Sequence, residues 1–433
     1  MDECTTITEP GTYVLERDLT AVQRDYCIIV EDADDVVFDA QGQAIDGQLK
    51  AAIYVVGSRN VTVRHVVSSA PSNYGIWVEE SQHIRLEGNT IKQFQNQTVA
   101  AEAARRALFL SRSQYLLVRN NRIEGIGLRQ ESGLDSGLQF RHSESITITN
   151  NTIFGTSSAV SLVNSSDIRV RQNVMARNVY GIQMRRFSHD ITVRENDIRH
   201  HTLCPMDVKN SSDILIDDNR MTSHAGLGLA INATNVTISN NLLKDSSSFG
   251  IIVATGSNRV DIHNNTVTDS SSLAGIGVFG RVSDVRIDNN TIADNAPHGI
   301  LLKHGVSRVS IRNNSIYGNV QTGVTVRPRV DRILISHNRV YKNGERAIAI
   351  EVPRGVTLDG NYVNGEQGTQ ETPEKALTEA SETRGQDPET GPREDGGQSQ
   401  VTDAPGQVGF DHVLALGALA LFAIFRFRSN RGW

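Results

Sequence analysis

An asparagine recurs about every 22 to 25 residues through most of this chain. The recurring residues are Asn151, Asn173, Asn196, Asn219, Asn241, Asn265, Asn290, Asn314, Asn338 and Asn361. Apolar residues alternate with other residues before each asparagine, and another apolar residue follows two positions after it. Such alternation predicts β-strands, and no stretch between residues 30 and 364 keeps the 3.6-residue period of an amphipathic helix. The repeats are therefore predicted to be made of strands.

A repeat of this length is too short to bury its own apolar face, so successive repeats must stack on one another. Parallel stacking predicts an all-β fold, a single-stranded right-handed parallel β-helix. A leucine-rich repeat is disfavoured because it would need leucines at fixed positions, which are missing here. A propeller blade is disfavoured because it would need about 40 residues. Weaker copies extend the array back through Asn121 and Asn89 to residues 61–63 and 36–38. This gives about 13 or 14 coils and a rod of about 60 to 65 Å.

The recurrent asparagine is predicted to occupy one turn of every coil. There its amide can bond backbone groups and the equivalent asparagines of neighbouring coils. We therefore interpret the asparagine ladder as structural, and it assigns no reaction by itself.

Five segments are expected along the chain. They are an N-terminal cap at 1–35, the β-helix at 36–364, a disordered acidic linker at 365–407, a membrane helix at 408–426 and a basic tail at 427–433. The linker is rich in Glu, Thr, Gly, Gln and Pro, a composition typical of solvated spacers. The apolar run from Val413 to Phe425 is followed by arginines, which favours a cytoplasmic C-terminus and a β-helix outside the cell.

The charge of the chain argues against nucleic acid as a partner. The chain has a net charge of −6, yet residues 366–403 contribute ten acidic and three basic side chains. The β-helix itself is therefore nearly neutral, and strong attraction to nucleic acid is not expected.

The chain has three cysteines, Cys4, Cys27 and Cys204. One disulfide would leave one free thiol. A bridge between Cys4 and Cys27 would hold the cap over the apolar end of the first coil. The alternative is that both are unpaired small residues.

The N-terminal sequence carries a family resemblance. Residues 4–19, 27–30 and 36–47 resemble the start of NosD-type, pectate-lyase-like β-helix proteins, and the later coils resemble the repeats of the same group. The resemblance covers about residues 4–364. It implies a helper in copper-site assembly, as for NosD proper, or a carbohydrate-binding, lyase, hydrolase or epimerase function, as for its relatives. Fold-level similarity does not choose among these functions.

The C-terminal sequence carries a second resemblance. Residues 405–410, Pro-Gly-Gln-Val-Gly-Phe, precede the apolar segment and the arginines. This order is similar to the PGF-type sorting signal of archaeal surface proteins, with the tripeptide interrupted. It implies removal of the helix and lipid anchoring if the signal is recognised, and anchoring by the helix itself if it is not. The first residues lack the basic and apolar regions of a signal peptide.

Two longer intervals break the repeat. Asn89 and Asn121 are 32 residues apart, and Asn121 and Asn151 are 30 apart. Residues 92–106 and 124–136 are therefore expected to project from adjacent coils, with a short helix near residues 100–106. Long loops in an otherwise strict repeat are the best indication of a functional surface.

Beside these loops, outward side chains are expected to stack in rows. One row holds Gln139, Ser161, Gln183 and Asp207; the other holds Arg141, Val163, Arg185 and Lys209, with His142 and Arg186 following it. Cations beside a uronate carboxylate would lower the pKa of the sugar C5–H, and a neutral His or Lys would remove that proton. Hydrolysis would need a second carboxylate, for which Asp135 is the candidate. The candidate catalytic residues are Asp207, His142, Arg141, Arg185, Lys209 and Asp135. The alternative is that these are solvated side chains of an ordinary sheet.

Three histidines bear on metal binding. His200, His201 and His224 lie just ahead of a strand and, with the NosD resemblance, suggest copper. Adjacent histidines on a strand edge point apart, so no metal or other cofactor is predicted, calcium included. The Asp-Pro-His signature of alginate-type C5 epimerases is absent, which argues against epimerase activity.

The sequence thus predicts a surface-anchored β-helix that binds or processes polysaccharide, as a lyase or glycoside hydrolase if it is an enzyme. A non-catalytic adhesion or structural protein and a copper-maturation helper are the alternatives. The oligomeric state is left open.

Overall fold

The computed structural model describes residues 1–20, 24–69, 73–92, 105–125, 136–352, 354–363 and 366–367. They belong to one compact unit, Met1–Glu374, and form 42 strands and no helix. None of them belongs to a helix that could span a membrane. The predicted membrane helix, basic tail and almost all of the predicted linker lie outside the described residues.

The strands, numbered β1 to β42 in chain order, form three faces. The first face consists of β1 (Thr5–Ile7), β3 (Tyr26–Glu31), β5 (Ala51–Val56), β8 (Tyr74–Glu79), β11 (Arg106–Ser111), β14 (Ser136–Arg141), β17 (Ser158–Val163), β20 (Tyr180–Arg185), the first parts of β23 (Cys204–Asp217) and β25 (Leu229–Ser239), β27 (Phe249–Val253), β30 (Ala274–Phe279), β33 (His298–Lys303), β36 (Thr322–Val326) and β39 (Arg346–Ile350). The second face consists of β2 (Gly11–Val14), β4 (Asp34–Asp39), β6 (Arg59–Arg64), β9 (Gln82–Glu87), β12 (Gln114–Arg119), β15 (Glu144–Thr149), β18 (Ser166–Arg171), β21 (His189–Arg194), the second parts of β23 and β25, β28 (Asn258–His263), β31 (Ser283–Asp288), β34 (Val306–Arg312), β37 (Val330–Ser336) and β40 (Val356–Asp359). The third face consists of β7 (Val67–Ser68), β10 (Thr90–Lys92), β13 (Arg122–Glu124), β16 (Thr152–Phe154), β19 (Val174–Ala176), β22 (Asp197–Arg199), β24 (Arg220–His224), β26 (Leu242–Ser246), β29 (Thr266–Thr268), β32 (Thr291–Ala293), β35 (Ser315–Tyr317), β38 (Arg339–Tyr341), β41 (Tyr362–Val363) and β42 (Glu366–Gln367).

From the coil of β5 onward, each coil contributes one strand to each face, and equivalent strands of successive coils pair in parallel. The predicted parallel β-helix of about 14 coils is therefore confirmed. At the C-terminal end, β42 pairs antiparallel with β41, so the first residues of the predicted linker extend the third face.

The N-terminal segment continues the coils. β1 pairs in parallel with β3, and β2 pairs in parallel with β4, so residues 1–35 extend the first two faces where a separate cap was expected. A disulfide joins Cys4 to Cys27, as predicted. Cys204 is a buried free thiol.

The core is a column of aliphatic side chains. Ile53, Val55, Val61 and Val63 of one coil are fully buried, and the equivalent residues of the other coils repeat this pattern. Each such side chain stabilises the fold by about 1.5 to 3 kcal/mol through removal of apolar surface from water. The apolar residues of each alternating pattern are thus the inward-facing residues of a strand.

The predicted asparagine ladder is continuous from Asn89 to Asn361. Its members lie in the turn between the second and third faces and are almost fully buried. In a typical step, Asn151 Nδ2 donates to Asn173 Oδ1 at 3.0 Å and to the Val118 carbonyl at 2.9 Å. The Asn173 Oδ1 also accepts the Asn151 backbone N–H at 2.9 Å. The asparagines satisfy turn backbone groups that would otherwise be buried without partners.

The residue before each ladder asparagine has a different role. Asn150, Asn264, Asn289 and Asn313 all adopt a left-handed backbone conformation, with φ between 54° and 58°. Asparagine is one of the few non-glycine residues that adopts this conformation readily. In each Asn-Asn pair, the first residue therefore adopts the left-handed conformation of the turn, and the second is the ladder residue.

Candidate functional site

The candidate site lies on the outer surface of the first face. The register is the predicted one, with Gln139 opposite Ser161, Ser161 opposite Gln183, and Gln183 opposite Asp207. We call these four residues the polar row. The parallel row through Arg141, Val163 and Arg185 is also in the predicted register.

Asp207 is the centre of an ion triad with Arg185 and Lys209. Its side chain is 4% exposed, and its Oδ2 accepts hydrogen bonds from Arg185 at 2.6 Å and from Lys209 Nζ at 3.0 Å. The two cations are partly exposed. The buried carboxylate therefore holds two cations at the surface, and the triad has a net charge of +1.

The predicted catalytic residues do not form one centre. Arg141 and His142 belong to the coil of β14, three coils before Asp207, which corresponds to about 14 Å along the rod. His142 is exposed and lies in the turn after β14. Asp135 lies outside the described residues. The structure thus brings together Arg185, Asp207 and Lys209 and keeps Arg141 and His142 apart from them.

A set of stacked rings on the same face is not among the residues predicted from the sequence. We call them the aromatic cluster: Tyr26, Tyr54, Tyr74, Trp77 and Phe109. The ring centroids of Tyr26 and Tyr54, and those of Tyr54 and Trp77, are 4.7 Å apart. Those of Trp77 and Phe109 are 6.1 Å apart, and Tyr74 packs against both of these residues.

The aromatic cluster is continuous with the polar row. Tyr54 is opposite Trp77, Trp77 opposite Phe109, and Phe109 opposite Gln139. Extending the polar row backwards by the repeat period would have found these rings in the sequence. The two long intervals between Asn89 and Asn151 interrupt the repeat period between Trp77, Phe109 and Gln139, and this hid the continuation.

The two long connections predicted from the asparagine spacing both end near the step from Phe109 to Gln139. Lys92 and Arg106 lie in β10 and β11, and Glu124 and Ser136 lie in β13 and β14. The predicted insertions are therefore confined to residues 93–105 and 125–135, of which 93–104 and 126–135 lie outside the described residues. Each insertion connects the third face of one coil to the first face of the next, where Phe109 meets Gln139.

Two other titratable groups of the first face, near Asp207, do not act as bases at neutral pH. Burial raises the pKa of the Tyr180 hydroxyl, which lies near the Asp207 charge. Burial also raises the pKa of the Cys204 thiol. Both groups therefore remain protonated at neutral pH, and Asp207 is the one carboxylate on the first face between residues 136 and 209.

The three histidines considered for copper do not converge. His200 is exposed, whereas His201 and His224 are buried with their rings parallel and 5.4 Å apart. His201 Nδ1 accepts the Asn178 backbone N–H at 3.2 Å, and His224 Nδ1 accepts the His201 N–H at 3.4 Å. In the described part of the chain, no group of three or more His, Cys, Asp or Glu is placed to hold a metal ion.

These two histidines belong to a second ladder, in the turn after the third face. Asn178 Oδ1 accepts the Thr156 N–H at 2.9 Å, and Asn295 Oδ1 accepts the Ser270 N–H at 3.0 Å. His201 and His224 make the same kind of contact in the intervening coils. Their position is thus explained by backbone hydrogen bonding.

The buried histidines predict an acid-sensitive fold. Burial lowers the pKa of His201 to about 4 and that of His224 to about 3, against about 6.5 in the unfolded chain. Below pH 6.5 the unfolded state binds protons that the folded state does not, so stability falls as the pH falls. Between pH 7.5 and pH 5, urea denaturation is expected to show a loss of about 2 kcal/mol for each histidine.

The control is the double variant His201→Asn, His224→Asn, which continues the ladder with the residue found in neighbouring coils. Its pH dependence should be smaller by about 4 kcal/mol over the same interval. The remainder includes His298, whose pKa burial lowers to about 4. An unchanged pH dependence in the double variant would contradict this explanation.

Comparison with known proteins places the fold in a family. The family described as the right handed beta helix region matches residues 19–186, 106–267 and 252–370. This chain belongs to the right-handed β-helix family. The predicted handedness is thereby confirmed. No curated protein sequence matches this β-helix protein.

Several solved β-helix structures are similar to it. The periplasmic alginate epimerase AlgG is 12% identical over 77% of this chain and 78% of its own, with a TM-score of 0.44. A mannuronic acid specific polysaccharide family 6 lyase from human gut microbiota is 14% identical over 76% and 81%, with a TM-score of 0.46. Tailspike protein 3 of bacteriophage CBA120 is 11% identical over 81% and 55%, with a TM-score of 0.42. Similarity at this level carries no activity over to this chain.

Proposed function

We propose that this β-helix protein binds an extended acidic polysaccharide along its first face. One observation carries the proposal: the stacked rings of Tyr54, Trp77 and Phe109 pass without a break into the polar row and the ion triad. The row from Tyr54 to Asp207 spans six coil steps, about 29 Å. Phe109, Gln139, Ser161 and Asp207 are buried, so a polymer contacts the row through the partly exposed Tyr54, Trp77 and Gln183 and through the two cations beside Asp207.

Each part of the row suits a different part of a sugar chain. Aromatic faces pack against the apolar C–H faces of pyranose rings, and tyrosine and tryptophan combine such area with a polar edge. The partly exposed side-chain amide of Gln183, whose oxygen accepts from the Ser158 hydroxyl, supplies N–H donors for hydroxyl groups. Arg185 and Lys209 supply positive charge for sugar carboxylates.

Processing of the bound chain is the second candidate function, and the buried Asp207 carboxylate favours it. Its Oδ2 is already engaged by two cations, and hydrolysis requires a pair of carboxylates. Between residues 136 and 209 the first face has no second carboxylate. Glu79 on the same face lies five coil steps from Asp207, about 24 Å, so binding is the better supported function.

The function is tested with the full chain and a panel of polysaccharides: alginate, polygalacturonate and cellohexaose. Binding is followed by calorimetry, and processing by release of unsaturated sugars or reducing ends. We expect binding to the two polyuronates that weakens with salt, because the Arg185 and Lys209 side chains of the ion triad are partly exposed to solvent. Absence of binding to both polyuronates would contradict the proposal, and binding without product release would exclude processing.

The ion triad gives a prediction with a definite sign. Asp207→Asn should strengthen polyuronate binding by roughly 3- to 10-fold, because Arg185 and Lys209 lose their internal carboxylate partner. Arg185→Gln should weaken it by a similar factor. If Asp207 is instead a catalytic acid or base, Asp207→Asn will abolish product release, and this outcome separates catalysis from binding.

We further propose that the protein is held at the cell surface by residues 408–426. Support comes from the apolar run, the following arginines and the resemblance to a PGF-type signal. Fractionation should place the full chain with membranes and a chain ending at residue 407 in the medium or soluble fraction. Equal distribution of the two would contradict anchoring. An adhesion role remains the rival function, and a NosD-like copper role would require stoichiometric copper binding.

A further inference from the structure

The acceptor sequence for N-linked glycans, Asn-X-Ser or Asn-X-Thr, recurs along the described coils. Its copies there begin at Asn60, Asn150, Asn164, Asn210, Asn232, Asn235, Asn264, Asn289 and Asn313. Another copy, at Asn96, lies outside the described residues. Several copies follow from the repeat itself, because Asn is favoured in left-handed turns and Thr in the strands that come after them. The three-residue pattern alone therefore does not show which copies can be modified.

Glycan transfer makes demands on two side chains of the acceptor. The Asn side-chain nitrogen attacks the anomeric carbon of a sugar carried on a lipid-linked phosphate. A C–N bond forms, the C–O bond to the phosphate breaks, the lipid phosphate leaves, and the amide gives up one proton. The transferring enzyme also contacts the hydroxyl group two residues later. In a folded chain, the amide and the hydroxyl must therefore both be accessible and free of partners.

Most copies fail one of these demands. The amide nitrogens of Asn60, Asn235, Asn289 and Asn313 donate to Asp35, Asp213, Asn264 and Asp288, respectively, at 2.5 to 3.0 Å. The amide oxygen of Asn264 is thus also engaged, and Asn232 is only partly exposed. Asn210 is exposed, but the hydroxyl of its sequence, on Ser212, donates to Asp213 Oδ2 at 2.7 Å.

Asn150 and Asn164 meet both demands. They lie in the turns after β15 and β17, are exposed, and adopt left-handed conformations with φ of 55° and 49°. Within the described coils, their side-chain amides have no hydrogen-bond partner. The hydroxyl groups of Thr152 and Ser166 are likewise unpartnered there, and both residues are partly exposed.

We propose that Asn150 and Asn164 carry N-linked glycans. The proposal rests on the proposed location of the β-helix outside the cell, because exported chains are the ones that meet lipid-linked oligosaccharides. The two residues lie at opposite edges of the second face, separated by a six-residue strand of about 20 Å. A glycan on one therefore leaves the other accessible.

The test uses the full chain purified from the membrane fraction of the cells that naturally produce it. Mass spectrometry of the intact chain and of its peptides measures the occupancy of each copy. Occupancy at Asn150 and Asn164 is expected to be roughly fivefold higher, or more, than at Asn60. Ser166→Ala should remove one glycan from the intact mass and Thr152→Val another, because each loses the hydroxyl and keeps the asparagine. Neither hydroxyl bonds to another described residue, so both variants should retain the fold.

Asn60→Gln is the matched control at a copy with an engaged amide, and it should remove no glycan. Circular dichroism of each variant reports whether the coils remain folded. Unmodified Asn150 and Asn164 in membrane-bound chain would overturn the proposal and leave the surface anchor standing. Equal occupancy of all copies, or glycans that persist in Ser166→Ala and Thr152→Val, would overturn it as well. An unmodified chain in the soluble cytoplasmic fraction would contradict both the glycans and the anchor.

Discussion

Replacing Asn151 with alanine is expected to lower the free energy of unfolding by about 4 kcal/mol. The Asn151 side chain donates to the Val118 carbonyl at 2.9 Å, and its Oδ1 accepts the Asn121 backbone N–H and Nδ2, both at 2.9 Å. Alanine leaves these buried groups without partners, and each such group costs about 1 to 3 kcal/mol. Asn151 is 1% exposed, so these groups are shielded from bulk water.

The measurement is urea denaturation followed by circular dichroism. The matched control is Asn150→Gly, at the exposed neighbouring position, where glycine accepts the left-handed backbone conformation, φ 55°. The control is expected to change the unfolding free energy by less than about 1 kcal/mol. Equal effects of the two substitutions would contradict a specific role for the buried ladder.

Replacing Trp77 with alanine is expected to weaken polyuronate binding roughly 30-fold, about 2 kcal/mol. Trp77 contacts Tyr54, Tyr74 and Phe109, so its loss removes one surface for sugar stacking and loosens the rings beside it. Large aromatic residues at the centre of a binding surface typically contribute the largest share of affinity.

The affinity is measured by calorimetry with a polygalacturonate oligomer. Trp77→Phe should recover most of the loss, because a ring remains. Phe187→Ala removes an aromatic side chain that is 75% exposed and lies in a turn outside the first face, and it should leave binding unchanged. A polyuronate affinity that survives Trp77→Ala would show that the aromatic cluster is not part of the site.

The scaffold was predictable because each coil repeats the same physical requirements. Ladder asparagines such as Asn151 and Asn173 recur at a nearly fixed spacing. The alternation of apolar and other residues around them identifies the inward-facing side chains. The second ladder was missed because its position is filled by different residue types, such as Thr156, Asn178 and His201. An amide oxygen or an imidazole nitrogen can accept the hydrogen bond from a backbone N–H. No single residue type therefore marks this position in the sequence.

The candidate site was predictable in part. The register that places Asp207 beside Gln183 follows from the repeat, and the pairing of Arg185 and Lys209 with Asp207 follows from that register. The distance between His142 and Asp207 required counting coils, because residues on one face are separated by the coil spacing. The aromatic cluster escaped detection because the 32- and 30-residue intervals between Asn89, Asn121 and Asn151 break the repeat period between its rings and the polar row.

A crystal structure of the full chain with a polygalacturonate oligomer tests the central proposal most directly. We predict a sugar chain along the first face, with rings stacked on Trp77 and Tyr54 and a carboxylate within hydrogen-bond distance of Arg185 or Lys209. An oligomer bound to the second or third face, with the row from Tyr54 to Asp207 free of sugar, would contradict the proposed function.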